Sequence, residues 1–170
     1  MKPELQPVLD ALQSAFGAHI SEFREQVKAT IAAEHIVEAA RTLRNAHGFN
    51  MLAGLSAVDY WPERKPRFHA VYEFKNIAQK LRLEVRVPLD GDEPKLPTLT
   101  EVFPNANWHE RELLDMFGFD IVGHPDPRRI LMPADWVGHP LRKDYPLGYE
   151  EVQFSFNFKE IDQRKPRPQD

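Results

Sequence analysis

Three histidines and several carboxylates lie close together between residues 108 and 145, and side chains of these types can hold a metal ion or move protons. They include His109, His124 and His139, with Glu110, Glu112, Asp115, Asp126, Asp135 and Asp144. No HExxH or HxH pair fixes two ligands on one face, and two of the histidines precede proline in extended turns. A catalytic metal is one hypothesis. Histidines that cap turns or contact a partner are the alternative that we favour.

A second pattern in the same region is a pair of carboxylates at helical spacing. Glu112 and Asp115 would share one helix face, with Arg111 four residues before Asp115. Such a pair can serve as general acid and base. No nucleophile or glycine-rich loop is near them, which favours a solvated or partner-facing surface with local ion pairs. We therefore predict no catalytic, cofactor-binding or metal-binding residue in the chain.

Basic and aromatic residues alternate further along. The basic pairs are Arg128-Arg129 and Arg142-Lys143, and the aromatic residues are Trp136 and Tyr145. RNA contact is one hypothesis, because aromatic rings can stack on bases. The interleaved Asp126, Asp135 and Asp144 nearly neutralise the basic charge. Arginines and aromatics on a backbone stiffened by prolines are more typical of a large protein interface.

Composition excludes several kinds of function. The 170 residues contain no cysteine, which removes iron–sulfur ligation, zinc–thiolate sites, disulfides and a thiol nucleophile. The net charge of -4 argues against a protein that mainly binds a phosphate backbone. No apolar run approaches the roughly 20 residues that span a bilayer. We expect a chain that stays in the cytoplasm unless a partner takes it to a membrane.

Periodicity predicts the elements that must position these side chains. Apolar residues at helical spacing predict helices over residues 3–16 and 34–47, and period-2 alternation predicts strands over 67–75 and 80–88. Residues 19–33 are typical of a hairpin. Two short helices are expected between 98 and 118, with Pro104 at the first position of the second. The fold class is α+β, an antiparallel sheet with helices on one face.

The chain divides into an α/β body (1–97), a helical and extended segment (98–150) and a polar tail (151–170) that we expect to be partly disordered. Within the second part, residues 119–150 form an extended, loop-rich stretch with many prolines, called here the proline-rich run. Its apolar side chains are too few to offset the cost of ordering it. The run must lie on another surface, of this domain or of a partner. We predict that its amides exchange quickly in the isolated chain.

Residues 109–147, HERELLDMFGFDIVGHPDPRRILMPADWVGHPLRKDYPL, resemble the signature of the C-type subunit of respiratory NADH-quinone oxidoreductase, or complex I. This is the 30-kDa subunit family, which includes the J-type subunit of chloroplasts and cyanobacteria. The resemblance rests on ERE, GHPD, RRIL and GHPLRKDYPL. Leu114 and Pro127 depart from the family pattern, which has an aromatic residue and leucine there.

The resemblance implies a cofactor-free structural subunit of the peripheral arm, on the cytoplasmic side of the inner membrane. Iron–sulfur clusters, FMN and quinone would belong to partner subunits. The C-terminal segment would pack on the D-type subunit, at the quinone pocket, and near the B-type subunit, which holds the terminal cluster. The predicted interface residues are Glu110, Arg111, Glu112, Asp115, His124, Asp126, Arg128, Arg129, Trp136, His139, Arg142, Lys143, Asp144 and Tyr145.

Two other hypotheses remain open. One is the homologous subunit of a membrane-bound hydrogenase, or of a complex linked to ferredoxin or F420. The other is a free-standing metal-dependent enzyme that uses the histidine and aspartate cluster.

Overall fold

The computed structural model describes residues 3–24, 26–146 and 163. A 3-10 turn (Pro3–Leu5) leads into helix α1 (Gln6–Phe16), strands β1 (His19–Phe23) and β2 (Gln26–Thr30), a second 3-10 turn (Ala33–His35) and helix α2 (Ile36–His47). Three long strands follow: β3 (Met51–Asp59), β4 (Phe68–Asn76) and β5 (Leu81–Leu89). The described chain then forms β6 (Lys95–Pro97), helix α3 (Ala106–Phe117) and β7 (Asp120–Val122).

The main sheet has the strand order β1-β2-β5-β4-β3. Every neighbouring pair is antiparallel except β2 and β5, which run parallel with Ala29 opposite Val85. The parallel pair arises because the chain between β2 and β5 passes through α2 and two further strands before it returns beside β2. The α+β class is therefore confirmed, and the sheet is mixed where the sequence predicts an antiparallel one.

The core lies between one face of this sheet and the helices. Alternate residues of β4 and β5, such as Phe68, Tyr72 and Leu83, are buried against apolar side chains that include Leu12 of α1 and Leu43 of α2. The other face carries partly exposed polar residues. Period-2 alternation predicts this division, because successive side chains of a strand point to opposite faces.

Only one of the two helices expected between 98 and 118 is present. Instead of the first, residues 99–103 form a turn in which the N–H groups of Val102 and Phe103 both donate to the carbonyl of Leu99, at 2.9 and 2.8 Å. Helix α3 starts at Ala106 with Asn105 at its N-cap, so Pro104 lies before the helix and the prediction for it is wrong. The residue after this turn, Pro104, has no N–H group to donate, so the turn does not continue into a helix.

Strands β6 and β7 pair in parallel, with Leu96 opposite Ile121. This pairing joins the α/β body (1–97) to the helical and extended segment (98–150). The division of the chain at residue 97 stays a prediction. The tail assigned to residues 151–170 lies outside the described residues except for position 163. Within the part that is described, no helix is both long and apolar enough to cross a membrane.

Candidate partner interface

The carboxylate of Asp115, on α3, is the point to which the first half of the proline-rich run is bound. Its Oδ2 accepts hydrogen bonds from the backbone N–H groups of Ile130, Leu131 and Met132, at 3.0, 2.7 and 2.9 Å. Its Oδ1 accepts one from Nη1 of Arg129 at 2.6 Å. Burial alone would raise the pKa of Asp115, but these N–H donors and the guanidinium outweigh it and lower the pKa. The carboxylate is thus ionised, buried and fully engaged.

Arg129 extends this anchor along the run. Its Nη2 donates to the carbonyl oxygens of Trp136 and Gly138, at 3.0 and 3.1 Å, so one guanidinium joins α3 to two points of the following loop. Arg111 acts one turn earlier, because its Nε and Nη2 donate to the carbonyls of Arg128 and Arg129. The planar fork of arginine suits such multiple contacts. Backbone of the run that has few partners of its own is thus held by the side chains of Arg111, Asp115 and Arg129.

Three residues of the second half of the run close the C-terminal end of α3. The N–H of Leu141 donates to the carbonyl of Met116 at 3.0 Å, Nε of Arg142 to that of Phe117 at 2.6 Å, and Nδ1 of His139 lies 2.9 Å from that of Asp115. The last carbonyls of a helix lack partners within the helix, so these contacts satisfy them. Burial, the largest effect, lowers the pKa of His139.

Gly118, which ends α3, makes this close packing possible. It has a φ of +72°, and a Cβ atom there would lie 2.5 Å from Cδ2 of His139. Any other residue would therefore meet both backbone strain and a steric clash. The histidine ring takes the place that a side chain would fill.

A second anchor, centred on Arg67, holds the end of the described run. Arg67 is fully buried, and its guanidinium contacts Asp59 at 3.1 Å, Asp144 at 2.8 Å and Asp92. The backbone N–H of Lys143 donates to Oδ2 of Asp59 at 2.9 Å. Burial acts to lower the pKa of Arg67, but the three carboxylates raise it. Asp144 is thereby joined to Arg67, which directly precedes β4, and Lys143 to Asp59, the last residue of β3.

Sequence reasoning missed Arg67, Asp59 and Asp92. The alternation that starts at Phe68 would place Arg67 on the polar face, and its partners are 8, 25 and 77 residues away in the chain. No local pattern connects residues at such separations. The basic pair at 142–143 and the neighbouring Asp144 were visible, but the pairing of Asp144 with a buried arginine was not.

Glu110 lies inside the molecule, which corrects its assignment to a partner-facing surface. Oε1 accepts from the N–H of Leu99 and Oε2 from the hydroxyl of Thr98, both at 2.6 Å, and the ring of the buried His124 side chain lies 3.8 Å away. Burial raises the pKa of Glu110 above its ordinary value of 4.5. Asp115 needs the same correction, since it too is buried and is saturated by donors of this chain.

The raised pKa of Glu110 predicts a pH-dependent stability. A carboxyl group whose pKa is higher in the folded state stabilises the fold fully below its unfolded pKa and loses that contribution as pH rises through the folded pKa. Glutamine carries no charge: its amide oxygen can accept from the N–H of Leu99, and its amide nitrogen can donate to the hydroxyl oxygen of Thr98, with the direction of that bond reversed. Glu110→Gln should therefore become more stable than the parent chain as pH rises from 5 to 8, by on the order of 1 kcal/mol.

Denaturant unfolding at several pH values measures this difference. The matched control is Glu112→Gln, a partly exposed carboxylate on the same helix, which should show no such trend. A Glu110→Gln chain that is less stable at every pH would contradict the prediction and show that the charge itself is needed.

The remaining predicted interface residues differ in exposure. Arg129, His139 and Arg142 bind backbone of this chain, and His124 is held by the N–H of Asp126 and the carbonyl of Asn107. Arg128 and Lys143 are exposed, while Glu112, Trp136 and Tyr145 are half-buried. Nε1 of Trp136 donates to the hydroxyl of Tyr145 at 3.1 Å. No group of three potential metal ligands occurs among the described residues.

Phe119 and Ile121, at the start of the run, belong to the core, whereas several apolar side chains further along face outward. Ile130, Leu131, Val137 and Leu141 are 37, 61, 47 and 48% exposed, although their own or neighbouring backbone is bound to the body. A groove beside them is lined by Arg111, Arg128, Arg129, Met132 and Ala134. The arrangement can bind a protein surface: the backbone is fixed by polar contacts and the apolar groups remain available.

Comparison with known proteins gives a consistent result. The model of the family described as "Respiratory-chain NADH dehydrogenase, 30 Kd subunit" matches residues 29–151. The C-type subunit of NADH-quinone oxidoreductase from Roseiflexus sp. (strain RS-1) is 46% identical over 164 residues, which cover 94% of each chain. The subunit of the same name from Geobacter sulfurreducens is 42% identical over 139 residues, 80% of this chain and 86% of the relative.

Two solved structures are also similar. The trypsin-resistant fragment (1-134) of Nqo5 superposes with a TM-score of 0.65 at 32% identity, covering 72% of this chain and 98% of the fragment. A chain of the membrane-bound sulfane sulfur reductase, an archaeal respiratory membrane complex, superposes with a TM-score of 0.69 at 21% identity. It covers 99% of this chain and 97% of that one, and at this identity it shows the fold alone.

Proposed function

The chain belongs to the 30-kDa subunit family of respiratory-chain NADH dehydrogenase, and from that premise we propose that it acts in the complex as a non-catalytic docking subunit. It carries no cofactor of its own and presents the proline-rich run to partner subunits. In this role it helps to order the module that passes electrons from NADH through iron–sulfur clusters to quinone.

One observation carries the proposal: from residue 128 onward the run is bound to the rest of this chain by polar groups, while Ile130, Leu131, Val137 and Leu141 stay exposed. Backbone N–H groups of residues 130–132 face inward to Asp115, whereas Ile130 and Leu131 face solvent. Leu141 shows the same division, since its N–H binds Met116 and its side chain is 48% exposed. Exposed apolar groups on fixed backbone are typical of a surface that a partner covers.

Fixing the run before assembly should increase affinity. Binding a segment that is already ordered avoids much of the entropy cost of ordering it at the interface. The anchors at Asp115 and Arg67 supply that order within this chain. They need not touch the partner to matter for assembly.

We assign the covering partners as the quinone-pocket (D-type) and terminal-cluster (B-type) subunits, with the exposed Arg128 and Lys143 and the half-buried Trp136 and Tyr145 contributing at the contact. A peripheral position on the cytoplasmic side of the membrane follows from this assignment. The family match and the C-type relatives favour this function over a hydrogenase subunit or a free metal enzyme.

Replacing Leu131 and Leu141 by serine tests the docking function. Both side chains are about half exposed or more, so the isolated chain should keep its stability within about 0.5 kcal/mol. Binding to the partner should weaken by roughly tenfold or more, because apolar anchors at the centre of an interface carry much of its energy. Subunit quantification in the purified complex, with the variant as the sole copy, measures the loss.

The matched control is Val58→Thr, an exposed apolar position on the polar face of β3 that keeps strand propensity. It should assemble like the parent chain. Normal assembly and normal turnover of the complex with the Leu131 and Leu141 double variant would contradict the docking proposal. Full assembly with lost turnover would instead assign the run to catalysis or quinone access.

Arg142→Ala is a poorer test, because that guanidinium also binds the end of α3.

A further inference from the structure

Helix α3 leaves one large apolar side chain in solvent. Trp108 is 59% exposed, while every other residue of this helix is buried or half-buried. The sheltered residues include charged ones, since Glu110 and Asp115 are buried and Arg111 and Glu112 are half-buried. A helix on the surface of a monomer shows the reverse pattern, with its charged residues outermost. The exposed position on α3 therefore has the character of a surface that another molecule covers.

The indole ring of Trp108 is connected to the proline-rich run through Arg111. The guanidinium of Arg111 lies over the ring, 5.4 Å from its centre. The same guanidinium donates to the carbonyls of Arg128 and Arg129, at 2.9 and 3.1 Å, and Ile130 follows directly in the chain. One guanidinium thus separates the ring from the first exposed apolar residues of the run. The surface that includes Ile130 continues across Arg111 to the ring.

Arg111 holds the ring in place without covering all of it. The side chain of Arg111 is 11% exposed, and its Nη1 lies 3.6 Å from Asp126 in addition to the two carbonyl contacts, so it has little freedom to move. A cation over one face of an aromatic ring leaves the opposite face available to another group. A side chain that is held before binding loses less entropy at an interface, and tryptophan is among the residues that most often anchor one.

We propose that Trp108 is an anchor of the docking surface and inserts into an apolar pocket on the same partner subunit that covers Ile130 and Leu131. The continuity of the surface through Arg111 identifies the occupant, because a subunit that covers Ile130 also meets the ring. A buried tryptophan contributes about 150–250 Å² to an interface, a substantial part of what one partner provides. This inference rests on the proposed function and extends its contact from the run to helix α3.

Site-specific photocrosslinking in the purified complex tests where the ring lies. Benzoylphenylalanine replaces Trp108 in one variant and Leu131 in a second, and each complex is illuminated. We expect both positions to crosslink to the same subunit. A crosslink from 131 with none from 108, or one from 108 to lipid or to another subunit, would overturn the inference and leave the docking function standing. No crosslink from 131 would instead count against the docking function itself.

Trp108→Ala gives the quantitative test. The side chain is exposed, so the midpoint temperature of unfolding of the isolated chain should shift by less than about 3 °C. The apparent Kd for reconstitution of the purified subunit with a complex that lacks it should rise by about 30-fold, the size expected for an anchor residue. Trp108→Phe keeps an aromatic ring and should recover a large part of that affinity.

The matched control is Phe23→Ala. Phe23 is 62% exposed and has the guanidinium of Arg24 5.2 Å from its ring centre, so its local surroundings resemble those of Trp108. It lies on β1, at the opposite edge of the sheet from β3, beside which α3 begins. This variant should bind like the parent chain. Equal apparent Kd values for the Trp108→Ala and Phe23→Ala chains would contradict the inference.

Discussion

Asp115→Ala is expected to lower the free energy of unfolding by about 3–5 kcal/mol and to release the first half of the run from the body. The substitution leaves the N–H groups of residues 130–132 and the guanidinium of Arg129 without their acceptor. Each buried donor without a partner costs about 1–3 kcal/mol, less whatever water can recover. Denaturant unfolding of the isolated chain measures the loss.

Two further substitutions separate charge from packing. Asp115→Asn keeps one acceptor oxygen and nearly the same volume, so its loss should be intermediate. Asp126→Asn removes a more exposed carboxylate that binds the solvent-exposed Arg128, and should have much the smallest effect of the three, because water screens that ion pair. Since the pKa of Asp115 is lowered, its contribution exists above the unfolded pKa of about 3.8 and disappears as pH falls through the folded value. A difference between Asp115→Ala and the parent chain that does not shrink in acid would contradict this account.

Arg67→Met is expected to have an effect of similar size, about 3–5 kcal/mol, because it leaves the buried Asp59 without its counter-charge. Asp59 keeps the N–H groups of Trp61 and Lys143 as donors, so Asp59→Asn in the same chain should recover part of the loss. A double-mutant cycle over these two positions measures their coupling. In the Arg67→Met chain, Asp144 should also lose its ion pair, so the run should no longer be attached to the sheet at that residue.

Arg64→Met provides the matched control for Arg67. Arg64 binds the same Asp92, at 2.5 Å, but its side chain is half exposed, so the substitution should cost less than about 1 kcal/mol. If both arginine variants lost the same small amount, the buried cluster would not be an anchor.

Regular elements were predictable because each obeys a local rule. Alternation from Phe68 to Phe74 and from Leu81 to Val87 predicted β4 and β5 nearly to their ends, and the apolar spacing before Gly17 and Gly48 predicted α1 and α2. Family membership was predictable too, because it rests on a nearly contiguous motif. In both cases the information lies within a short stretch of sequence.

The placement of the charged residues could not be predicted in the same way. Glu112 and Asp115 share a helix spacing, but only the tertiary fold determines that Asp115 is buried under residues 130–132 and that Glu110 meets Thr98 and Leu99. The expectation of fast amide exchange in the run considered apolar burial alone. It omitted hydrogen bonds from the run to Asp115, Met116, Phe117 and Asp59, which connect residues far apart in the chain.

Amide hydrogen exchange on the isolated, full-length chain tests the central claim most directly. If the run is held by its own body, the amides of Ile130, Leu131, Met132, Leu141 and Lys143 should exchange far more slowly than in an unfolded chain, though faster than those of β4. In Asp115→Ala the first three should lose that protection while β4 keeps its own. Exchange of all five at unfolded-chain rates in the parent chain, with protection gained only in the assembled complex, would contradict the claim and show that a partner orders the run.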